Sequence, residues 1–285
     1  MATAAVRLIT LFLTLISFSL YASPRIVSAG ASVTDLLVEL GAQSHIVGID
    51  ATSQLQDKDI PSVGYHRQLA VEGVLSLSPD LLLGSNEMGP APVLSTLRDT
   101  GVNVVTLSSA PTVDALKQRI HTVADLTETQ ANAAPLINTI DDQLATLKSH
   151  ASSAERNTSA LKGLFLLVHQ GRPASVAGAN TTPNSLINLL GATNPAADSV
   201  TSYKPLSSEA LLGFNPDFIL VMQRSLDQLG GIQGLADAVP LLSSTQAYQH
   251  NRIIAVDGRV LVGGLSLNTL DEALRIQNQL LGHQH

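Results

Sequence analysis

The feature that most constrains this chain is an arrangement of residues that occurs twice. The first copy, VGYHRQLAVEGVLSLSPDLLLG, places Glu72 eight residues before Asp80. The second copy, YKPLSSEALLGFNPDFILV, places Glu209 eight residues before Asp217. In both copies a proline precedes the aspartate and an apolar run follows it. Equal spacing in two distant segments predicts two lobes of similar architecture.

The apolar runs predict the fold class of these lobes. They lack period-two alternation and are separated by segments with helical spacing, which is typical of parallel sheets covered on both faces. We therefore predict an α/β fold with two Rossmann-like lobes, mostly parallel sheets and a ligand cleft between the lobes. Strands are expected at residues 25–28, 45–50, 81–84, 102–107, 163–168, 215–221 and 253–256, and helices at 35–40, 90–100 and 266–281.

Residues 112–154 separate the two copies and have a different character. They contain no glycine and carry apolar residues at helical intervals, so they are expected to form one or two long helices, interrupted near Pro135. The predicted organisation is a signal peptide at 1–22, an N-terminal lobe at 23–111, a connecting helix at 112–154 and a C-terminal lobe at 155–285.

Composition and the N-terminal sequence narrow the function classes. A net charge of −7 without a basic cluster argues against a nucleic-acid partner. The absence of cysteine excludes disulfides, thiolate zinc sites, cysteine catalysis and anchoring through a lipidated cysteine. An early Arg7 followed by a 13-residue apolar run and small residues is typical of an export signal, with cleavage expected after Ala22. We expect an exported, soluble protein that is not a lipoprotein.

The order of these motifs resembles the periplasmic substrate-binding proteins of ABC importers that have a helix joining their lobes, a group that carries haem, cobalamin and ferric siderophores. The segments that carry the resemblance are RIVSAGASVTDLLVELGA, the first copy of the repeat, and LDEALRIQNQL. Within that group, the chain is most similar to the haem-binding members. The resemblance implies a carrier of ferric haem that delivers its ligand to an inner-membrane ABC permease dimer with its ATPase, with an outer-membrane haem receptor upstream.

The candidate haem ligands come from both lobes. Tyr65 offers a phenolate, a hard anionic ligand suited to ferric haem, and a cation nearby favours that ionised form. Arg67 lies two residues on, and in an extended loop it is expected beside the phenolate oxygen. His66 is then expected to point the opposite way. His169, at the end of a predicted strand, offers an imidazole, although a polar strand cap is an equally good interpretation of it.

Three further residues are candidates at the edge of this site. Arg172 follows the predicted strand of the second lobe and offers charge-assisted hydrogen bonds to a haem propionate. Tyr203 and Lys204 lie at the start of the second copy of the repeat. Each of these residues is also compatible with an ordinary surface position.

Glu72 and Glu209 occupy the same place in the two copies, so they are predicted at equivalent points on the two lobes. In the family that the chain resembles, one glutamate from each lobe meets arginines of the two permease subunits. The alternative interpretation is two exposed glutamates favoured by a helix dipole, each worth about 0.3–1 kcal/mol.

Other functions remain open at this point. A carrier of ferric siderophores or cobalamin is the first alternative, although the chain has no tryptophan and few aromatic residues. A periplasmic metal-dependent hydrolase is the second, but no Gly-x-Ser-x-Gly, HExxH or Walker motif is present. The sequence leaves open whether one haem or two stacked haems bind.

Overall fold

The two copies of the repeated layout lie against two different β-sheets in the computed structural model, which describes residues 23–55, 59–155 and 160–282. The predicted signal peptide lies outside these residues. The first sheet has the order β2-β1-β3-β4 and is parallel throughout. Its strands are β1 (Ile26–Ala29), β2 (Ile46–Ile49), β3 (Leu81–Ser85) and β4 (Asn103–Leu107), and the helices around it are α1 (Ala31–Glu39), α2 (Val71–Leu75) and α3 (Ala91–Asp99).

The second sheet is mixed. Three strands are parallel in the order β5-β8-β9, and two short strands, β6 and β7, extend it in the antiparallel sense. Its strands are β5 (Gly163–Leu167), β6 (Ser175–Ala177), β7 (Tyr203–Pro205), β8 (Phe218–Met222) and β9 (Ile253–Val256). The helices around it include α6 (Thr182–Leu189), α7 (Ser208–Phe214), α8 (Gln223–Leu229), α9 (Ile232–Ala238) and α10 (Gln246–Gln249).

The predicted fold class is confirmed, and the repeat corresponds to equivalent backbone contacts. Asp80 Oδ2 accepts a hydrogen bond from the backbone N–H of Arg25 at 2.8 Å. Asp217 Oδ2 accepts one from the backbone N–H of Lys162 at 2.7 Å. Each aspartate thus ties the start of one central strand to the start of its parallel neighbour. The two strands β6 and β7 were not predicted, because strands of three residues carry too little hydrophobic pattern.

The connection between the lobes consists of two helices that run from one core to the other. The helix α5 (Gln130–Glu155) contributes Ile140 to the core of the first lobe and Leu147 to the core of the second. The C-terminal helix α11 (Leu267–Gly282) lies beside it and contributes Leu270 to the first core and Ile276 to the second. Because both helices contribute residues to both cores, a change in the angle between the lobes requires these two helices to bend.

The expected interruption near Pro135 is wrong. That proline lies inside α5, near its N-terminal end, where one backbone hydrogen bond is lost and packing of the helix in the core offsets the loss. The break falls instead between α4 (Val113–Thr127) and α5, at Glu128, whose φ of 58° ends the first helix in a left-handed turn. No helix in the described ranges is long and apolar enough to cross a membrane.

Candidate functional site

A cavity of about 590 Å³ opens between the two lobes, at the carboxyl ends of the strands. This is where open α/β sheets place their ligands, since loops from several parallel strands meet at that edge. Its volume lies within the ordinary range for small-molecule sites. From the first lobe it is lined by residues 51–54 and Tyr65, and from the second by His169, Met222, Arg224, Ser225, Gln228 and residues 257–259 and 262.

The structure brings together two of the predicted site residues in this cavity. Tyr65 lies on the wall formed by the first lobe and His169 on the wall formed by the second. Tyr65 is 42% exposed, so its phenol is accessible from the cavity. Arg172 is exposed in the turn after β5 and does not line the cavity.

Arg67 and Tyr203 lie beside the cavity rather than in its lining. Arg67 interacts electrostatically with both Tyr65 and Tyr203, so the three side chains form a cluster across the lobes. Although Tyr203 is 41% exposed, its partial burial raises its pKa to about 12, and the carboxylate of Glu87 adds to that increase. At neutral pH Tyr203 is therefore a neutral phenol that can donate a hydrogen bond.

The loop around Tyr65 is not extended, and that expectation is wrong. Tyr65 itself is extended, but it precedes a 3₁₀ turn at His66–Gln68, closed by a hydrogen bond from Gln68 N–H to Tyr65 O at 2.7 Å. Because the turn redirects the chain, Arg67 forms an ion pair with Glu87 instead of following Tyr65 in register.

His66 points away from the cavity and into the first lobe. Its side chain is 1% exposed, and Nδ1 lies 2.9 Å from Asp50 Oδ2. Its ring centroid is 4.5 Å from that of Tyr65, with the planes tilted by 59°. Burial alone would lower the pKa of His66, but the neighbouring carboxylates of Asp50 and Glu87 outweigh it and raise that pKa.

Asp50 is the centre of a buried hydrogen-bond network at the end of β2. Its carboxylate accepts hydrogen bonds from Gly30 N–H at 3.0 Å and Ser53 Oγ at 2.6 Å. Thr52 adds its hydroxyl at 2.7 Å and its backbone N–H at 3.2 Å. Burial favours the neutral acid, yet the hydrogen bonds from His66, Ser53 and Thr52 prevail and hold the pKa of Asp50 at about 2. These residues, with His66, are called the Asp50 network below.

Glu87 connects this network to the edge of the cavity. It lies in the loop after β3, pairs with Arg67, and its Oε2 is 3.9 Å from Nε2 of His66. Since that distance is too long for a hydrogen bond, the buried Nε2 has no partner within the described part of the chain. Interaction with His66 and then with Arg67 lowers the pKa of Glu87 against the effect of burial, so Glu87 is ionised at neutral pH.

Sequence reasoning missed several lining residues of the second lobe. Arg224 stands in the first turn of α8, two residues after β8, and contributes a cation to the cavity. Met222 ends β8 and supplies apolar surface, and Arg259 lies in the turn after β9. All three follow strand ends, and that position was the signal that could have identified them. Among the described residues, no group of three or more histidines and carboxylates is arranged to hold a metal ion.

Known proteins resemble this chain over most of its length. It is 46% identical to a structure described as the periplasmic heme-binding protein HutB of Vibrio cholerae, with a TM-score of 0.84 over 90% of this chain and 98% of that one. It is 36% identical to a periplasmic heme-binding protein from Pseudomonas aeruginosa, with a TM-score of 0.84 over 90% and 92% of the two chains. A cobalamin-binding protein of Halobacterium salinarum is 28% identical over 82% of this chain and 63% of its own length.

The sequence profile of one family covers both lobes. The periplasmic binding protein profile matches residues 26–260, from the first strand of the first lobe to the turn after the last strand of the second. The matched region includes every residue named above as lining the cavity except Val262. With two α/β lobes, a cavity between them and a profile that spans both, this chain belongs to the periplasmic binding protein family.

Proposed function

We propose that this protein is a periplasmic carrier that binds ferric haem in the cavity between its lobes and delivers it to an inner-membrane ABC permease with its ATPase. The observation that carries the proposal is the placement of Tyr65 and His169 on opposite walls of one cavity. Phenolate and imidazole are both ligands of ferric haem. The haem-binding descriptions of two similar structures support the same ligand.

The charges around the cavity suit a ligand with an iron centre and two propionates. Arg67 lies beside Tyr65 on the first lobe, and Arg224 lines the cavity on the second. Guanidinium groups bind carboxylates through paired, charge-assisted hydrogen bonds. Tyr203 as a neutral phenol and Arg172 at the rim are further partners for the propionates. Apolar surface from Ala51, Met222 and Val262 is available to the porphyrin faces.

Addition of haemin to the purified protein tests this function directly. We expect a shifted Soret band, high-spin ferric charge-transfer bands and a saturable titration, whose end point gives one haem or two per protein. Absence of a Soret shift and of saturation would contradict haem as the ligand. The alternatives are then a ferric siderophore or cobalamin, the latter favoured by the cobalamin-binding relative, and parallel titrations with both compounds distinguish them. A family of binding proteins gives no support to the hydrolase alternative.

Delivery requires a surface that contacts the permease. Glu72 lies in the first turn of α2 and Glu209 in the first turn of α7, and both are exposed. α2 leads into β3 and α7 into β8, each an interior strand of its sheet, so the two glutamates occupy equivalent positions. We propose that each contacts one of two equivalent permease subunits. Such charges chiefly set orientation and association rate, and they act more weakly at high salt.

Reversal of both charges tests the docking surface. The variant Glu72→Arg with Glu209→Arg is expected to fold and to bind haem normally, but to lose delivery to the reconstituted transporter. Each single variant is the matched control, with a partial loss expected. Normal transport by the double variant would contradict the docking surface, and loss of haem binding would show that both residues were assigned to the wrong role.

The proposal also covers how the protein is exported and how it receives its ligand. Residues 1–22 are proposed to direct export, and the chain has no cysteine for lipid attachment after cleavage, in contrast to a Bacillus subtilis relative described as a lipoprotein. An outer-membrane haem receptor is proposed to supply the ligand. The helices α5 and α11, which pack into the cores of both lobes, are expected to restrict the lobes to a modest opening.

A further inference from the structure

Beside the cavity, but outside its lining, the first lobe carries a carboxylate that an anionic ligand does not require. Glu87 is 28% exposed at the edge of a cavity proposed for haem, whose propionates are also negative. A glutamate there repels those groups, so direct recognition of the ligand does not explain its position. Its neighbours belong to the protein itself: it forms an ion pair with Arg67, and its Oε2 lies 3.9 Å from Nε2 of His66.

The loop that carries Glu87 is joined to the turn that presents Tyr65. Gly89 N–H donates to His66 O at 2.9 Å, and Leu69 N–H donates to Gly89 O at 2.9 Å. The ion pair between Glu87 and Arg67 adds a side-chain contact between the same two segments. Loop and turn are therefore one connected unit, and a change at Glu87 is transmitted to the turn.

His66 supplies a second route from Glu87 to Tyr65. Its buried Nε2 has no hydrogen-bond partner among the residues that the structure describes, and Glu87 Oε2 lies 3.9 Å from it. The other nitrogen, Nδ1, is held by Asp50 at 2.9 Å, so the ring cannot rotate without breaking the Asp50 network. The Tyr65 ring packs on this fixed imidazole at 4.5 Å.

We propose that Glu87 is a positioning residue for the ligand site: it holds Arg67 beside Tyr65 and, together with His66, fixes the turn that presents the Tyr65 phenol. This inference rests on the proposed haem-binding function. It assigns Glu87 no contact with the ligand. Partners that orient a metal ligand without touching the metal typically change metal affinity 10- to 100-fold when they are altered.

The charge of Glu87 also has a consequence for the bound iron. A carboxylate near the site favours ferric over ferrous haem, because it stabilises the more positive centre. Without that carboxylate, the positive charge of Arg67 is no longer neutralised, so it withdraws more electron density from the Tyr65 oxygen. Both effects have the same sign, so loss of the charge is expected to move the reduction potential to more positive values.

The test uses Glu87→Gln, which keeps the size of the side chain and removes its charge, with Glu128→Gln as the matched control. Glu128 is exposed between α4 and α5 and does not line the cavity. We expect ferric haem to dissociate about tenfold faster from Glu87→Gln and its reduction potential to become more positive, with the control unchanged. Wild-type dissociation rate and potential in Glu87→Gln would overturn the inference.

A double-mutant cycle distinguishes positioning from a general effect of charge. In an Arg67→Gln background, the added Glu87→Gln change is expected to speed dissociation less than it does in the wild type, because part of its effect passes through Arg67. Fully additive effects would overturn action through Arg67. Should Glu87→Gln not fold, judged by its thermal unfolding, Glu87→Asp retains the charge and is expected to lie between wild type and Glu87→Ala. Failure of the wild type to bind haem would reject the proposed function, and this inference with it.

Discussion

The two walls of the cavity are built differently. On the first lobe, Tyr65 stands on a turn backed by the buried Asp50 network and by Glu87. On the second lobe, His169 is exposed in a turn closed by one backbone hydrogen bond, from Arg172 N–H to His169 O at 3.1 Å. One buried side-chain contact supports that turn, from Ser225 Oγ to Val168 O at 2.7 Å.

This difference indicates unequal roles for the two ligand candidates. A group held by several buried hydrogen bonds is in place before the ligand arrives, so little ordering is needed on binding. A group in an exposed turn loses more conformational freedom when the ligand binds. We therefore expect the first lobe to supply most of the affinity and the second lobe to adjust to the ligand.

The largest effect is expected from breaking the Asp50 network. Asp50→Ala leaves His66 buried without its partner, and loss of one member of a buried pair typically costs about 3–5 kcal/mol of unfolding free energy. The matched change in the second lobe, Ser225→Ala, removes one neutral hydrogen bond and is expected to cost about 1 kcal/mol. Urea unfolding of the apoprotein measures both. Equal losses would show that the two walls are supported equally.

Haem affinity should likewise decrease more when the first lobe is altered than when the second lobe is. Tyr65→Phe keeps the ring but removes the oxygen, so we expect a loss of about 100-fold or more, above the 10- to 100-fold typical of residues that only support a ligand. Tyr65→Ala should behave nearly the same and lose the ferric charge-transfer bands. His169→Ala is expected to cost about tenfold, and Tyr248→Phe, which is away from the cavity, nothing. A stronger effect at His169 than at Tyr65 would reverse the comparison.

The stability of the first lobe should decrease at low pH, because the Asp50 carboxylate becomes protonated there. Its pKa is about 2 in the folded state against an ordinary value of 3.8. Because the pKa of Asp50 is lower in the folded state, its carboxylate stabilises the protein at pH values above the unfolded pKa. That stabilisation is lost as the pH falls through the folded pKa. We expect a loss of about 2 kcal/mol between those values, measured by urea unfolding at each pH.

Two variants separate this contribution from the rest of the protein. Asp50→Asn should flatten the pH dependence in that window. Asp257→Asn in the second lobe is the control: the pKa of Asp257 is also lowered, chiefly by Arg259, but its side chain is 41% exposed and solvent screens the pair. A change of about 0.5 kcal/mol or less is expected for it. An unchanged profile in Asp50→Asn would contradict the assignment.

The smallest effect concerns the helices that carry Glu72 and Glu209. Ser207 caps α7 by accepting a hydrogen bond from Ala210 N–H at 3.1 Å, whereas α2 begins at Ala70 without a side-chain cap. Ser207→Ala should cost about 1 kcal/mol of unfolding free energy, and Ala70→Ser should add up to about 1 kcal/mol. No change in either variant would show that these caps do not distinguish the lobes.

Local pattern was sufficient for most of the fold. The strands β1 and β9 lie within one residue of the predicted ranges, and the predicted helices at 90–100 and 266–281 correspond to α3 and α11. The break between α4 and α5 and the turn after Tyr65 depend on features that no local pattern shows. The break before α5 depends on the left-handed conformation of Glu128, a residue type that carries no signal for it. The turn at His66–Gln68 was missed because its cause, the burial of His66 against Asp50, is not local.

The sequence by itself determined the two α/β lobes, the helical connection and the chemical identity of the candidate ligands, because hydrophobic periodicity and residue type act over short distances along the chain. Tertiary structure alone decided which of those residues meet. His66 reaches Asp50 across 16 residues and Arg67 reaches Glu87 across 20. Arg224 enters the cavity because β8 ends at the same edge as the first lobe's loops. Such contacts depend on the order of strands in a sheet and on the packing of the lobes, and neither is encoded in any one segment.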